Sequence, residues 1–357
     1  MKKILFIHGS RGKKFQSLLE SIDVILYTFD FSKFSNKISR IIYLIKFLLS
    51  KRIKNRFDII ITDDHGYHAF ICFIVAKIYK RPFIVRLRGD NWDEAKYEYM
   101  KYSLLLKPFI SIRNFIYIQL GNFALNRASA IIAVSTFLEN IAINNLSLPK
   151  EKFSTIYVPC VSPILMKQKK IFNPKKIKLM MSTNFNFYKK YQAINFFSRS
   201  FVMLCKKYPN IYIDIIGIGN SHNFLKENLW INKLSKKIKV MSNVKDMSKL
   251  YDKADIFIHL SFQDAFPNVV VEAQSRCLPT IVNNFGGMVE QVINNKTGHI
   301  IDSNDDMSLF NSIEMIILKK ELRNKFTKNA PKYVMKKFTI APLAKKLKEV
   351  LIKLSIK

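Results

Sequence analysis

An α/β fold in two parallel-sheet halves is what this sequence predicts, and three observations carry the prediction. At 357 residues the chain is long enough for about two domains of roughly 150 residues each. Short runs rich in β-branched and aromatic residues alternate with longer amphipathic stretches, the rhythm of βα units on parallel strands. That rhythm is interrupted near the middle by residues 158–178 (VPCVSPILMKQKKIFNPKKIK), where Pro159, Pro163, Pro174 and clustered lysines read as a linker with its boundary at residues 160–175.

In chain order, the first half reads as strands over residues 3–8, 24–27, 58–62, 83–87, 130–134 and 154–158. The second half repeats the pattern over residues 177–182, 211–216, 238–241, 256–259, 280–283 and 299–301. There is no short-period repeat, and two similar halves make the cleft between them the natural site. The opening MKKILFIHG is apolar for only about six residues before Gly9 and Arg11 and has no small-residue cleavage site, so it reads as a buried strand and not as a signal peptide.

Composition narrows the function classes. With 49% hydrophobic and 13% aromatic residues the chain buries full-sized cores and is not intrinsically disordered. Cys72, Cys160, Cys205 and Cys277 are scattered, with no CxxC pair and no histidine at zinc spacing, which fits a reducing cytosol and neither a disulfide scaffold nor a structural zinc site. No run of about 18 uncharged apolar residues is present, and the strongest candidate, residues 41–49, is broken by Lys46, so no membrane span is expected.

The balance of 59 basic and 26 acidic residues, +33, is compatible with nucleic acid, an anionic membrane surface or a lysine-rich codon bias. Nucleic acid is disfavoured, because no RNP, zinc-finger or helix-turn-helix pattern is present and the aromatics sit mostly in apolar runs. Residues 31–57 carry Lys33, Lys37, Arg40, Lys46, Lys51, Arg52, Lys54 and Arg56 without one acidic residue. Their apolar residues recur at about helical spacing. The segment is either a basic amphipathic helix lying on anionic lipid or a surface helix with a core face and a solvated basic face.

The most informative stretch is residues 254–298. A strand turns through residues 261–264 and a helix opens at Pro267, a position that needs no intrahelical N–H donor. Asp264 lies in the loop before that helix and Glu272 about a turn and a half inside it, both at the C-terminal edge of the sheet. Free N–H groups at the helix start, around Phe266 to Asn268, can receive an anion such as a diphosphate.

This segment resembles the acid-x7-acid signature of retaining glycosyltransferases of the GT-B fold, of the large group 1 (family 4) type. Those enzymes usually read E-G-F-G-x4-E-A, then G-x-P-V, then G-G-x-x-E-x-V. The equivalents here are Asp264-Ala265-Phe266-Pro267, Glu272-Ala273, Leu278-Pro279-Thr280-Ile281 and Gly286-Gly287-Met288-Val289-Glu290-Gln291-Val292, with Asn295-Lys296-Thr297-Gly298 resembling the following D-G-x-T-G turn.

The resemblance implies two Rossmann-like domains facing each other across a cleft. Residues 1–165 would be the acceptor-binding domain, 166–337 the nucleotide-sugar domain, and 338–357 a C-terminal helix, opened by Phe338, that crosses back to the first domain and leaves a hinge. It further implies that Glu272 accepts hydrogen bonds from the nucleotide's ribose and that Asp264 binds hydroxyls of the donor sugar. Asp264 is one methylene shorter than the usual glutamate, and Ala265 replaces a glycine.

A second constellation, residues 182–197 (STNFNFYKKYQAINFF), stands where the resembled group reads G-R-L-x3-K-G. Asn184 takes the place of the diphosphate-clamping arginine, Lys189 or Lys190 matches the lysine, and Asn186 is a polar helper. The neutral Asn184 cannot reproduce a bidentate phosphate clamp. Gly217 and Gly219 resemble the group's G-x-G-P turn beside the nucleotide, although no third glycine completes a dinucleotide fingerprint. Base selection is expected near Val244. Gly9 heads a phosphate- or acceptor-facing loop, or a plain βα turn.

In residues 85–94 (VRLRGDNWDE), Arg88 stands where related enzymes often have histidine. Arg88 and Asp90 contact donor sugar or acceptor, or form a buried structural pair. His65 and His68 with Asp63 and Asp64 read as a polar loop capping the next helix rather than as a metal site.

The implied activity is retaining transfer from a nucleotide-diphosphate sugar, UDP- or GDP-linked, to a glycan or lipid-linked acceptor, without metal or cofactor. The implied place is the cytoplasm, peripheral on an anionic membrane surface. The alternative is a catalytically inactive GT-B-like protein that binds sugar nucleotides or an enzyme partner.

Overall fold

Runs of isoleucine, valine and leucine without polar alternation must be buried on both faces, the condition of a parallel sheet covered by helices. The computed structural model describes residues 1–50, 53, 56–98, 103–160 and 172–354. Among them are two sheets of six strands each, in two units: Met1–Pro159 with Ile340–Lys357, and Cys160–Thr339.

The first unit runs β1 (Lys2–His8), α1 (Lys13–Glu20), β2 (Val24–Asp30), α2 (Lys37–Leu48), β3 (Ile59–Thr62), α3 (Tyr67–Ile78), β4 (Phe83–Leu87), α4 (Asn91–Glu98), α5 (Lys107–Arg127), β5 (Ala130–Ala133), α6 (Thr136–Leu146) and β6 (Phe153–Thr155). Its strands are parallel in the order β2-β1-β3-β4-β5-β6. The chain first steps from β1 to β2 and then turns back past β1, so the order reverses between β1 and β3.

The second unit runs β7 (Ile177–Asn184), α7 (Tyr188–Phe196), α8 (Ser198–Lys207), β8 (Ile211–Ile218), α9 (His222–Glu227), α10 (Trp230–Lys233), β9 (Ile238–Ser242), α11 (Ser248–Lys253), β10 (Ile256–His259), α12 (Asn268–Ser275), β11 (Thr280–Asn283), β12 (His299–Ile301), α13 (Ser308–Leu318) and α14 (Lys320–Lys337). The parallel order β12-β11-β10-β7-β8-β9 reverses between β7 and β10. Two apolar cores flank this sheet, one around Leu179, Phe197, Phe201 and Ile313, the other around Met180, Phe257, Val270 and Val282.

The last helix, α15 (Ile340–Lys353), belongs to the first unit, where it packs on α1. Leu343, Leu347, Val350 and Leu351 form its buried stripe, and Lys2 Nζ donates to the Leu351 carbonyl at 2.5 Å. Phe338 sits in the turn between α14 and α15 and remains with the second unit, its ring 5.5 Å from Phe266.

All twelve expected strands form; β4, β10, β11 and β12 have the expected ends, and the other eight have altered ones. β8 continues to Ile218, so Gly217 lies inside the strand and not after it, because both neighbours extend beside it, pairing Thr183 with Gly217 and Gly217 with Ser242. The strand expected over residues 154–158 is Phe153–Thr155. The expected helix start at Pro267 moves by one residue, with Pro267 as the N-cap. The expected boundary at residues 165 and 166, Pro163, and Lys51, Arg52 and Lys54 lie outside the described residues. All four cysteines are buried free thiols. Among the described residues no helix is long and apolar enough to cross a membrane.

Candidate functional site

Ligands of open parallel sheets bind outside the carboxyl ends of the strands where strand order reverses. In the second unit that point lies between β7 and β10. Lys190 stands in the first turn of α7, after β7, and Asp264 in the loop after β10. Lys190 Nζ donates to Asp264 Oδ1. His259, the last residue of β10, places Nε2 2.9 Å from Asp264 Oδ2 and Nδ1 2.8 Å from the Ser182 carbonyl. Both ring nitrogens thus lie within hydrogen-bonding distance of oxygen atoms. Burial pushes the Asp264 carboxyl upward, but Lys190 and His259 together outweigh it and hold the group well below the usual carboxylate range.

The loop carrying Asp264 is held from three sides. Gly287 N–H donates to the Asp264 carbonyl at 3.1 Å. Asn283 accepts the Ser261 N–H at 2.9 Å and donates to the Ser261 carbonyl at 3.0 Å, while Gln291 Nε2 donates to the Pro267 carbonyl at 3.0 Å. These bonds fix where α12 begins. Phe266 and Pro267 are buried, and Asn268 is half-buried. No side chain caps the helix, and the Val270 N–H turns back to the Pro267 carbonyl at 3.2 Å, so the Asn268 and Val269 N–H groups stand at the positive end of the helix dipole. Glu272, half-buried on α12, accepts from the Tyr251 hydroxyl at 3.3 Å. Burial and the nearby Glu272 push that phenol well above its ordinary pKa.

The turns after β7 and β8 interlock. Asn184 Oδ1 accepts the Asn186 N–H at 3.0 Å, and the Asn186 amide lies across Gly219. Gly219 has φ +96°, and a Cβ there would stand 2.3 Å from Asn186 Oδ1. At Gly217 a Cβ would meet the Phe185 ring at 2.5 Å. Asn243 ties the pair together, accepting the Gly219 N–H at 3.0 Å and donating its own N–H to the Gly217 carbonyl at 2.7 Å. Val244, next in sequence, packs against the Met180–Phe257 core. Lys189 is half-buried beside Lys190, its carbonyl accepting the Phe262 N–H at 3.4 Å.

The first unit gathers a different cluster at its own reversal point. Asp63 is fully buried, 2.5 Å from Arg86 Nη1 and 3.2 Å from Arg88 Nε. Arg88 therefore pairs with Asp63 and not with Asp90. Asp90 accepts the Asp93 N–H at 2.9 Å and so caps α4. Gly9 is buried under the Phe31 ring. The expectation that the residues 63–68 loop caps the next helix is corrected: the N-cap of α3 is Gly66, at φ 73°, and no side chain caps it. His68 instead pairs with Asp64 at 2.5 Å and stacks on Phe31, while His65 packs between Trp92 and Tyr117.

The structure thus brings Lys190 and Asp264 together and adds two partners the sequence reading missed, His259 and Tyr251. A signal for His259 was present: a polar residue ends an otherwise apolar strand five positions before Asp264. Tyr251 carried no such signal, because its distance from Glu272 depends on how α11 and α12 pack. Arg86 was also missed, hidden as the one charge inside an apolar strand.

Residues 164–333 match the family described as glycosyl transferases group 1. The capsular polysaccharide biosynthesis glycosyltransferase CapM of Staphylococcus aureus is 24% identical over 247 residues, covering 66% of this chain and 65% of that protein. The UDP-Gal:α-D-GlcNAc-diphosphoundecaprenol α-1,3-galactosyltransferase of Escherichia coli is 30% identical over 145 residues, 40% of this chain and 37% of its own length. Both matches therefore span less than two thirds of these relatives. The crystal structure of HepE from Anabaena in complex with UDP-glucose superposes with a TM-score of 0.69 at 16% identity, covering 99% of this chain and 100% of that one, which shows a shared fold. Through residues 164–333, just under half of its length, the chain is similar to the group 1 glycosyltransferases, and its two parallel six-stranded sheets carry the GT-B fold.

Proposed function

We propose that this glycosyltransferase moves a hexose, with retention at the anomeric carbon, from a UDP- or GDP-sugar to a glycan or lipid-linked acceptor. The observation that carries the reading is the Asp264 carboxylate, fixed between Lys190 and His259 at the strand-order reversal beside the open start of α12. The names of two relatives support the substrates: one uses UDP-Gal and a diphosphoundecaprenol-linked acceptor, the other belongs to capsular polysaccharide biosynthesis.

In this reading Glu272 accepts hydrogen bonds from the ribose hydroxyls, and Asp264 orients the donor sugar through its hydroxyls. The bond from the anomeric carbon to the diphosphate breaks, its electrons passing to the leaving oxygen. The acceptor oxygen attacks from the same face and gives its proton to a phosphate oxygen. Of the three N–H donors on Lys190, Asp264 takes one, so two can meet the negative charge that develops, helped by Lys189 and by the backbone N–H of Asn268 at the start of α12, beside Phe266 and the N-cap Pro267, which has no N–H to give. Asn184, Asn186, Gly217, Gly219 and Val244 border the nucleotide. Arg88, Asp90 and Gly9 serve the acceptor-binding unit, residues 1–165, and residues 166–337 form the donor unit. The enzyme works in the cytoplasm, on an acceptor held at the inner face of the membrane.

The test is a screen of UDP-, GDP- and ADP-sugars for thermal stabilisation, followed by assay of nucleoside diphosphate release and by NMR of the anomeric product. Release with retained configuration supports the reading. Tight binding without release would make the protein an inactive sugar-nucleotide binder, the outcome that Asn184 in place of an arginine would then explain.

A further inference from the structure

Helices α2, α3 and α5 form one layer of the first unit, with α3 packed against both others. None of the three contains an aspartate or glutamate. α5 buries Asn114, Gly121, Ala124 and Leu125 on its inner side. Its outer side is apolar as well: Phe109 is 71% exposed, Ile112 60% and Phe115 63%. The turn that leads into it, Leu104–Leu106, exposes Leu104 at 80% and Leu105 at 86%. On α2, Ile38, Ile42 and Ile45 are exposed beside Arg40 and Lys46. A surface helix of a water-facing domain turns polar residues outward, and a contiguous apolar surface of this kind marks a binding face.

Charge selects the occupant. A second copy docked on the same face would set Arg40, Lys46, Lys107 and Arg127 against a face carrying the same cations, with no carboxylate from these helices to answer them. An anionic bilayer matches both components, its acyl chains taking the leucines and phenylalanines and its headgroups the long cationic side chains.

We propose that the Leu104–Leu106 turn and the outer faces of α5 and α2 seat the protein on an anionic lipid bilayer, with Leu105, Phe109 and Phe115 inserted at the acyl boundary. The proposal deepens the reading of a membrane-held acceptor and rests on it for its purpose, whereas the surface stands on its own observations.

The experiment compares the full-length protein with a Leu105→Asp, Phe109→Asp, Phe115→Asp variant. Both are sedimented with phosphatidylcholine vesicles, with and without phosphatidylglycerol. UDP-sugar stabilisation is read in parallel. The wild type should sediment with the anionic vesicles, and the variant should bind at least about tenfold more weakly while keeping its donor response. High salt should weaken wild-type binding without abolishing it. A Leu105→Trp probe should be quenched by brominated phosphatidylglycerol. Equal sedimentation of the two proteins, no wild-type sedimentation, or a wild-type dimer that the variant dissolves would each overturn the proposal. Loss of the donor response in the wild type would instead strike the functional reading and leave the membrane result standing.

Discussion

Lys190 and Asp264, 74 positions apart in sequence, form an ion pair across the place where the strand order of the second sheet reverses. Removing one partner of such a pair strands the other in a low-dielectric site. Lys190→Met should therefore cost about 3 kcal/mol of stability near neutral pH. The carboxyl's folded pKa lies below its ordinary value of 3.8, so the pair's contribution is complete above about pH 4 and fades as the pH drops toward the folded value. Urea denaturation of both proteins between pH 6 and pH 3 checks this; a stability gap that stays constant over that range contradicts it.

Glu272→Ala should weaken donor binding by roughly 1.5 to 3 kcal/mol, about 10- to 150-fold, the scale of charge-assisted hydrogen bonds. Stability should change little, because the half-buried side chain leaves no core cavity. Tyr251→Phe should produce a smaller loss, since the hydroxyl only orients Glu272. Titration calorimetry with the nucleoside diphosphate measures both, and unchanged affinity in Glu272→Ala would remove that residue from the donor site.

Gly219 occupies the left-handed region at φ +96°, with the Asn186 amide where a Cβ would go. Gly219→Ala should cost about 1 to 2 kcal/mol and displace the turn against Asn186, weakening donor binding beyond the loss of stability. Chemical denaturation together with donor titration separates the two effects.

Burial lowers His65 from an ordinary 6.5 to about 4. The unfolded chain therefore takes up the proton first as the medium is acidified, so the stability this neutral ring contributes is complete above about pH 6.5 and is lost as the pH falls toward 4. Roughly 2 to 3 kcal/mol is at stake across that window. His65→Phe keeps a ring against Trp92 and Tyr117 and should flatten the acid limb of the thermal stability profile. An unchanged limb would show that other groups drive it.

Turnover should persist in excess EDTA. Among the described residues no three histidine, cysteine, aspartate or glutamate side chains gather as a metal site, and Lys190 with the α12 amides can hold a diphosphate. Activity lost to EDTA and restored by magnesium or manganese would bring a divalent cation into the mechanism.

Much of the site was legible before the structure. The run from Asp264 to Val292 placed a carboxylate in a loop and another on the following helix, and both stand there. What sequence spacing could not supply was the company each residue keeps. Asn184 looked like a weakened phosphate clamp, yet its oxygen closes its own turn onto Asn186. Asp90 and Arg88, two positions apart, read as contacts to donor sugar or acceptor, or as a buried pair; they are not paired with each other, for Asp90 caps α4 and Arg88 joins Arg86 on Asp63.

By itself the sequence determined the twelve strands and the alternation that makes both sheets parallel, because strand and helix periodicities are local and a run of β-branched residues declares itself within a few positions. Only the tertiary structure decided that His259 would meet Asp264, that Asp63 would gather two arginines, and that the outer face of α5 would remain uncovered. Those outcomes depend on which strands become neighbours and on which helix faces find a partner, and such contacts between distant segments leave no period in the chain.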